Sequence, residues 1–179
     1  MVDLCVAGAA FVLLLPFMII VGAVVYCTMG SPVLFRPMRP GYKAKPFRLL
    51  KFRTMTTACD SQGELLPDRD RLTSLGKFLR RYSLDELPQL WNVLRGDMSL
   101  VGPRPLLRRE LSDYGAVISL YERVRPGITG LWQISGRSHT TFAERVSYDE
   151  WYIKNWTVWY DLVIMLQTVW VLLHGEGAY

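Results

Sequence analysis

SLDELPQLWNVLRGDMSLVGPRP, residues Ser83 to Pro105, is the stretch whose reading decides the rest of the chain. Two adjacent carboxylates, Asp85 and Glu86, precede an apolar repeat of Leu87, Leu90, Trp91 and Leu94, a spacing that predicts a short helix with one apolar face. Ser83 and Glu86 have capping-box spacing, Asp85 can itself be an N-cap with Pro88 in the first turn, and Gly96 can end the helix. Capping thus accounts for both carboxylates without chemistry. The surrounding cations favour a second reading. A carboxylate at a helix start, near Arg80, Arg81 and Arg104 and in reach of Lys51 and Arg53, stays ionised and lies where phosphate also binds. An ionised Asp can attack phosphorus or hold Mg²⁺. Spacing alone leaves both readings open.

Working outward, 179 residues suffice for one globular domain with a core. Lys and Arg outnumber Asp and Glu by 21 to 16. Much of the excess (Arg36, Arg39, Lys43, Lys45, Arg48, Lys51, Arg53) falls in one acid-free stretch, a pattern that fits an anionic membrane surface, a phosphorylated substrate or a nucleic acid. Cys5, Cys27 and Cys59 imply no disulfide framework. With only His139 and His174 beside them, a zinc site lacks a ligand set, and any metal should be hard and oxygen-ligated. No Ser-His-Asp or Cys-His set competes for the chemistry.

From Leu4 to Met29 there is no charged residue. A helix of about 26 residues is roughly 39 Å long, enough to cross a bilayer core of about 30 Å. A cleaved signal peptide does not fit, because a basic n-region is missing and the apolar run is too long. Pro16 divides the run into two arms of about 12 residues, each roughly 18 Å, which could instead enter one leaflet and return. The basic stretch from Arg36 onward places that side in the cytoplasm in either geometry.

Val33 to Met55 reads as two short strands around a turn at Arg39, Pro40 and Gly41. Period-two alternation over Phe47 to Met55 puts Leu50 and Phe52 on one face, and Lys51 and Arg53 on the other. Leu75, Phe78, Leu79 and Tyr82 follow helical spacing. RPGITGLWQISGR, Arg125 to Arg137, is a Gly-rich loop with an arginine at each end, able to punctuate the chain or to meet phosphates through backbone N–H groups and guanidinium forks. Trp151, Tyr152, Trp156, Trp159 and Tyr160 crowd the tail. The apolar run Leu162 to Leu173 is too short to span and reads as a core or interfacial helix.

Several ordered motifs then carry a resemblance over nearly the whole chain: the apolar segment with Pro16, KFRTM at Lys51 to Met55, GELLPD beginning at Gly63, the Ser83 to Pro105 stretch and RPGITGLWQISGR. The chain resembles the bacterial sugar transferase family, the monotopic phosphoglycosyl transferases, in their small single-domain form. The resemblance implies transfer of a phosphosugar from a UDP-sugar to polyprenyl (undecaprenyl) phosphate with release of UMP, initiating glycoconjugate or exopolysaccharide assembly. It implies a covalent aspartyl-phosphosugar intermediate on Asp85, with Glu86 as the partner carboxylate and Mg²⁺ held partly by Asp85. Lys51, Arg53, Arg80, Arg104, Arg125 and Arg137 are expected at substrate phosphates, and Trp132 is a further candidate contact. The family also implies a re-entrant helix broken at Pro16, although relatives often carry a small polar residue where this chain has Leu15.

The expected fold class is α/β, of the α+β kind: a helix-rich membrane-associated domain with a small β-hairpin element and amphipathic interfacial helices. Residues 1–29 form the re-entrant membrane helix, and residues 30–179 form a cytoplasmic catalytic domain with a C-terminal interfacial helix. The expected place is the cytoplasmic face of a bacterial inner membrane, with UDP-sugar, polyprenyl phosphate and the lipid bilayer as partners and no nucleic acid. The rival reading is a membrane-tethered basic binding module without catalysis, whose affinity would fall steeply with salt.

Overall fold

The charge-free N-terminal run forms one helix, α1 (Val2–Met29), in the computed structural model of the protein, which describes residues 2–136 and 140–174. Pro16 lies inside α1 without ending it, and the helix is long and apolar enough to cross a membrane. It does not stand apart from the rest. Ala7, Ala10, Phe11 and Leu14 of its first half pack on Phe47, Leu49, Leu90, Val93 and Met98. Val21 and Val25 of its second half pack on Phe52 and Leu79. Its outer face leaves Val12, Leu13, Ile19 and Ile20 exposed.

The predicted hairpin is present but interrupted, and its turn falls after Gly41 instead of at Arg39 to Gly41, because Arg39 and Pro40 are paired in the strand. Strands β2 (Met38–Pro40) and β3 (Pro46–Arg48) pair antiparallel around a 3-10 turn at Tyr42–Ala44, and β1 (Leu34–Phe35) pairs with β4 (Lys51–Phe52) to continue the ladder. The simple alternation fails between Leu49 and Leu50, because Phe47, Leu49 and Phe52 are all buried. The side chain of Asn92 fills the break. Fully buried, it accepts the Leu50 N–H at 3.0 Å and donates to the Arg48 carbonyl at 2.9 Å, replacing the strand partner missing there. Lys51 and Arg53 consequently do not project side by side, which corrects the sequence expectation. Replacing Asn92 by Ala orphans two backbone groups inside the core; a loss of about 3 kcal/mol is expected, measured as a lowered unfolding midpoint in detergent.

Beyond the short α2 (Asp68–Arg71), Thr73 caps α3 (Ser74–Arg81) by accepting the Gly76 N–H at 2.9 Å. Gly76 is required by proximity, since a Cβ there would stand 2.0 Å from the Thr54 carbonyl oxygen. The Ser83 to Gly96 stretch becomes a 3-10 turn at Leu84–Glu86 and then α4 (Gln89–Leu94), whose Leu90 and Val93 face α1. Gly96, at φ +80, ends it in the left-handed conformation.

Two short strands that sequence periodicity does not announce, β5 (Ser99–Val101) and β6 (Gly127–Thr129), pair in parallel. Here the glycines of the Gly-rich loop find their reason. A Cβ at Gly127 would lie 2.1 Å from the Gly102 nitrogen, and one at Gly130 would lie 2.2 Å from the Gly102 oxygen. Two backbones cross at contact distance, and the Gly102 and Gly127 N–H groups are bonded to the Thr129 and Pro103 carbonyls at 2.9 and 2.8 Å. They are therefore not free to cradle a phosphate.

After α5 (Ile118–Tyr121) and α6 (Leu131–Ile134), a Thr141–Glu144 capping box opens α7 (Phe142–Lys154). The last helix, α8 (Val158–His174), buries Ile164 against Val101 and Tyr152 while leaving Trp159, Leu166 and Trp170 exposed. The architecture is a helix-rich α+β mixture in which the described strands are short pairs and two apolar clusters flank α1, one with α4 and the hairpin, the other with α3 and β4.

Candidate active site

Ser83 turns the chain out of α3 at φ +53, a left-handed conformation costing about 1 kcal/mol or more for a residue with a Cβ. This turn aims Asp85 and Glu86 inward. Neither carboxylate caps a helix: the Ser83 side chain makes no cap bond, and the cap position of α4 is Pro88. The capping-box reading is thereby replaced, because the left-handed Ser83 cannot present its hydroxyl to the turn that follows.

The two neighbours have opposite surroundings. Glu86 Oε1 takes the Lys51 ammonium at 2.5 Å and the Arg104 guanidinium at 3.3 Å. Burial pushes the Glu86 carboxyl up, but Lys51 and then Arg104 outweigh it and hold the group at about 2. Asp85 is 7% exposed, and among the described residues its carboxylate takes no hydrogen bond or ion pair. Burial pushes it up to about 6, opposed by Lys51, supported by Glu86, and opposed again by Arg80 and Arg104. Adjacent acids driven apart in this way are an arrangement that acid/base and nucleophile sites use.

Of the cations expected from sequence, Lys51, Arg80 and Arg104 gather here. Arg80 is braced by the Thr54 hydroxyl, which its Nε meets at 3.1 Å. Arg104 lies 5.8 Å from the Trp132 ring centre. Arg53 is turned away: its guanidinium donates to the carbonyls of Met29, Gly30 and Ser31, closing the C-terminus of α1. Those bonds occupy both terminal nitrogens, so Arg53 ties α1 to β4 rather than facing the carboxylates. Arg125, exposed, stacks over Tyr42 at 5.9 Å. Arg137 lies outside the described residues.

Arg145 was missed by sequence reasoning. It is buried on α7, 4.9 Å from the centre of the Trp132 ring, 3.6 Å from Glu110, and donates to the Arg104 carbonyl at 3.5 Å. Tyr121 donates to the same carbonyl at 3.4 Å, so the Arg104 backbone is clamped from two sides. Behind it Asp149, which burial pushes up to about 6, accepts the Tyr114 hydroxyl at 2.6 Å. The signal was in the sequence: Arg145, Asp149 and Tyr152 recur at helical spacing on the buried face of α7, and buried polar groups on an inward face need partners.

Among the described residues no group of three or more His, Cys, Asp or Glu side chains converges on one point. A cation cage made of protein alone is absent from that set. One uncommitted carboxylate suits Mg²⁺, which commonly takes one or two carboxylates and completes its shell with water and substrate phosphates.

The sequence profile of bacterial sugar transferases matches residues 1–175. The chain belongs to the bacterial sugar transferase family. Among its relatives is the sugar transferase EpsL of Bacillus subtilis, 51% identical over 87% of this chain and 77% of its own. The UDP-galactose-lipid carrier transferase of Erwinia amylovora is 41% identical over 99% of this chain, which spans 40% of that protein. The undecaprenyl-phosphate galactose phosphotransferase of Salmonella typhimurium is 43% identical over 84% of this chain and 35% of its own length. This bacterial sugar transferase therefore corresponds to about three quarters of one relative and to well under half of two others.

Proposed function

We propose that this sugar transferase moves a sugar-1-phosphate from a UDP-sugar to a polyprenyl phosphate, the first membrane step in building a glycoconjugate or exopolysaccharide. The single observation that carries the reading is the asymmetry of the acid pair, Asp85 uncommitted and Glu86 anchored by two cations. Relatives named for lipid-carrier and undecaprenyl-phosphate sugar transfer give the substrate classes.

In the first step an Asp85 carboxylate oxygen attacks the phosphorus that bears the sugar. The new O–P bond replaces the bridging P–O bond, whose electron pair leaves on UMP. Arg80 and Arg104, whose charges already act on Asp85, offset charge on the phosphoryl oxygens in this reading. Asp85 would help to hold Mg²⁺, which would supply further charge neutralisation. In the second step an oxygen of the polyprenyl phosphate attacks the same phosphorus and frees the Asp85 carboxylate. A carboxyl held at about 2 is a weak base, so Glu86 serves mainly to fix Lys51 and Arg104.

Both ends of α1 touch the same domain, which supports a helix that enters and leaves one membrane face. Ser99 donates to Asp3 at 2.6 Å, and Thr73 reaches the Met29 sulfur at 3.8 Å. A spanning helix would carry one end across the bilayer. The exposed apolar faces of α1 and α8 then contact lipid at the cytoplasmic side.

The reading is tested by incubation with UDP-sugars and Mg²⁺ but no acceptor, followed by peptide mass spectrometry. The expected product is a phosphosugar on Asp85 with one UMP released per chain. UMP release without any adduct on this peptide would reject the covalent route.

A further inference from the structure

Between α1, the first strands and α4 lies a cleft of about 730 Å³, within the roughly 300–1,000 Å³ of small-molecule sites. Its walls are Phe11, Leu15, Met18 and Ile19 of α1, which flank Pro16, with Leu34 of β1 and Trp91 of α4 opposite. Arg36 and Arg95 stand in its lining. Trp91 is the telling wall. Its neighbours Leu90 and Val93 are buried, yet it stays 46% exposed with Phe11 5.7 Å from its ring centre, an aromatic pair facing open space.

We propose that this cleft binds the first isoprene units of the polyprenyl phosphate acceptor. Three features select that occupant. The cleft borders the Ser83 to Pro105 stretch through Pro88, Trp91 and Arg95, and its lining residue Leu50 directly precedes Lys51, the partner of Glu86. It is continuous with the exposed apolar face of α1, where Ile19 is 64% exposed, so a hydrocarbon chain enters sideways without crossing water. Arg36, together with Arg95, whose guanidinium also meets Asp97 at 3.5 Å, adds positive charge to the lining for an anionic headgroup. The volume holds a few isoprene units and leaves the rest of the chain in the bilayer. The inference rests on the transferase reading above and adds the place where the acceptor chain lies.

The test uses the full chain in nanodiscs with undecaprenyl phosphate. Leu15→Trp and Ile19→Trp fill the cleft from exposed positions, so folding is spared. Together they should raise the KM for undecaprenyl phosphate at least about tenfold while leaving acceptor-independent UMP release unchanged. Separately, a photoreactive benzoylphenylalanine at Ile19 should capture undecaprenyl phosphate, and added undecaprenyl phosphate should compete. An unchanged acceptor KM, or capture of bilayer phospholipid alone, overturns the proposal. Absence of UMP release from the wild type would instead defeat the transferase reading, and the crosslink would still report on the cleft.

Discussion

Replacing Asp85 by Asn is expected to cut UMP release by at least about 10³-fold, the scale seen when a covalent nucleophile is removed, and to make the folded protein more stable. The two effects have one origin. Burial raises the Asp85 carboxyl from 3.8 to about 6, so the charged form is disfavoured in the fold. A group whose folded pKa is raised contributes most below its unfolded value, and that contribution is lost as pH rises through about 6. At neutral pH the loss is complete, on the order of 3 kcal/mol. Asn carries no charge to bury. The variant should therefore unfold later than the wild type at pH 7.5, with the difference shrinking toward pH 4. Calorimetry in detergent across that range checks the claim; a variant no more stable than the wild type at pH 7.5 would show that Asp85 is not held at such a cost.

Lys51→Met should have the second-largest effect, on both stability and pH response. Lys51 is the strongest opposing charge on both carboxylates. Without it Glu86 remains largely buried with Arg104 alone, and losing one partner of such a pair typically costs about 3–5 kcal/mol. The Asp85 carboxyl would move further up. The acid limb of the rate of UMP release, expected near pH 6 in the wild type, should then shift to higher pH. A residue that only grips substrate phosphate would raise the KM for UDP-sugar and leave that limb in place. The pH profile separates the two roles.

The sequence made some features legible and hid others for physical reasons. The helical spacing of Leu75, Phe78, Leu79 and Tyr82 marks α3, and that of Leu90, Trp91 and Leu94 marks α4, but only Leu75 and Leu79, and Leu90 and Leu94, pack into the cores around α1, while Phe78, Tyr82 and Trp91 stay exposed. The acid pair was visible as a pair. Its asymmetry was not, since Lys51 and Arg104 reach Glu86 from opposite sides of it in the sequence. Alternation in the hairpin misled for a similar reason: Asn92, from another element, sets the break at Leu50. The β5–β6 pairing was hidden because each three-residue strand is flanked by Gly or Pro, and the glycines make sense only once both backbones are seen to cross.

The contacts of α1 carry a consequence for how such a protein can change over time. An anchor joined by a linker can be exchanged for any other hydrophobic segment without disturbing the chemistry. Here Ala7 and Phe11 share a core with Leu90 and Val93, and Arg53 closes the end of the same helix. Helix α1 and the segment after Glu86 must therefore be inherited as a matched set. Grafting the reactive stretch onto a foreign anchor would remove one wall of the fold that holds it.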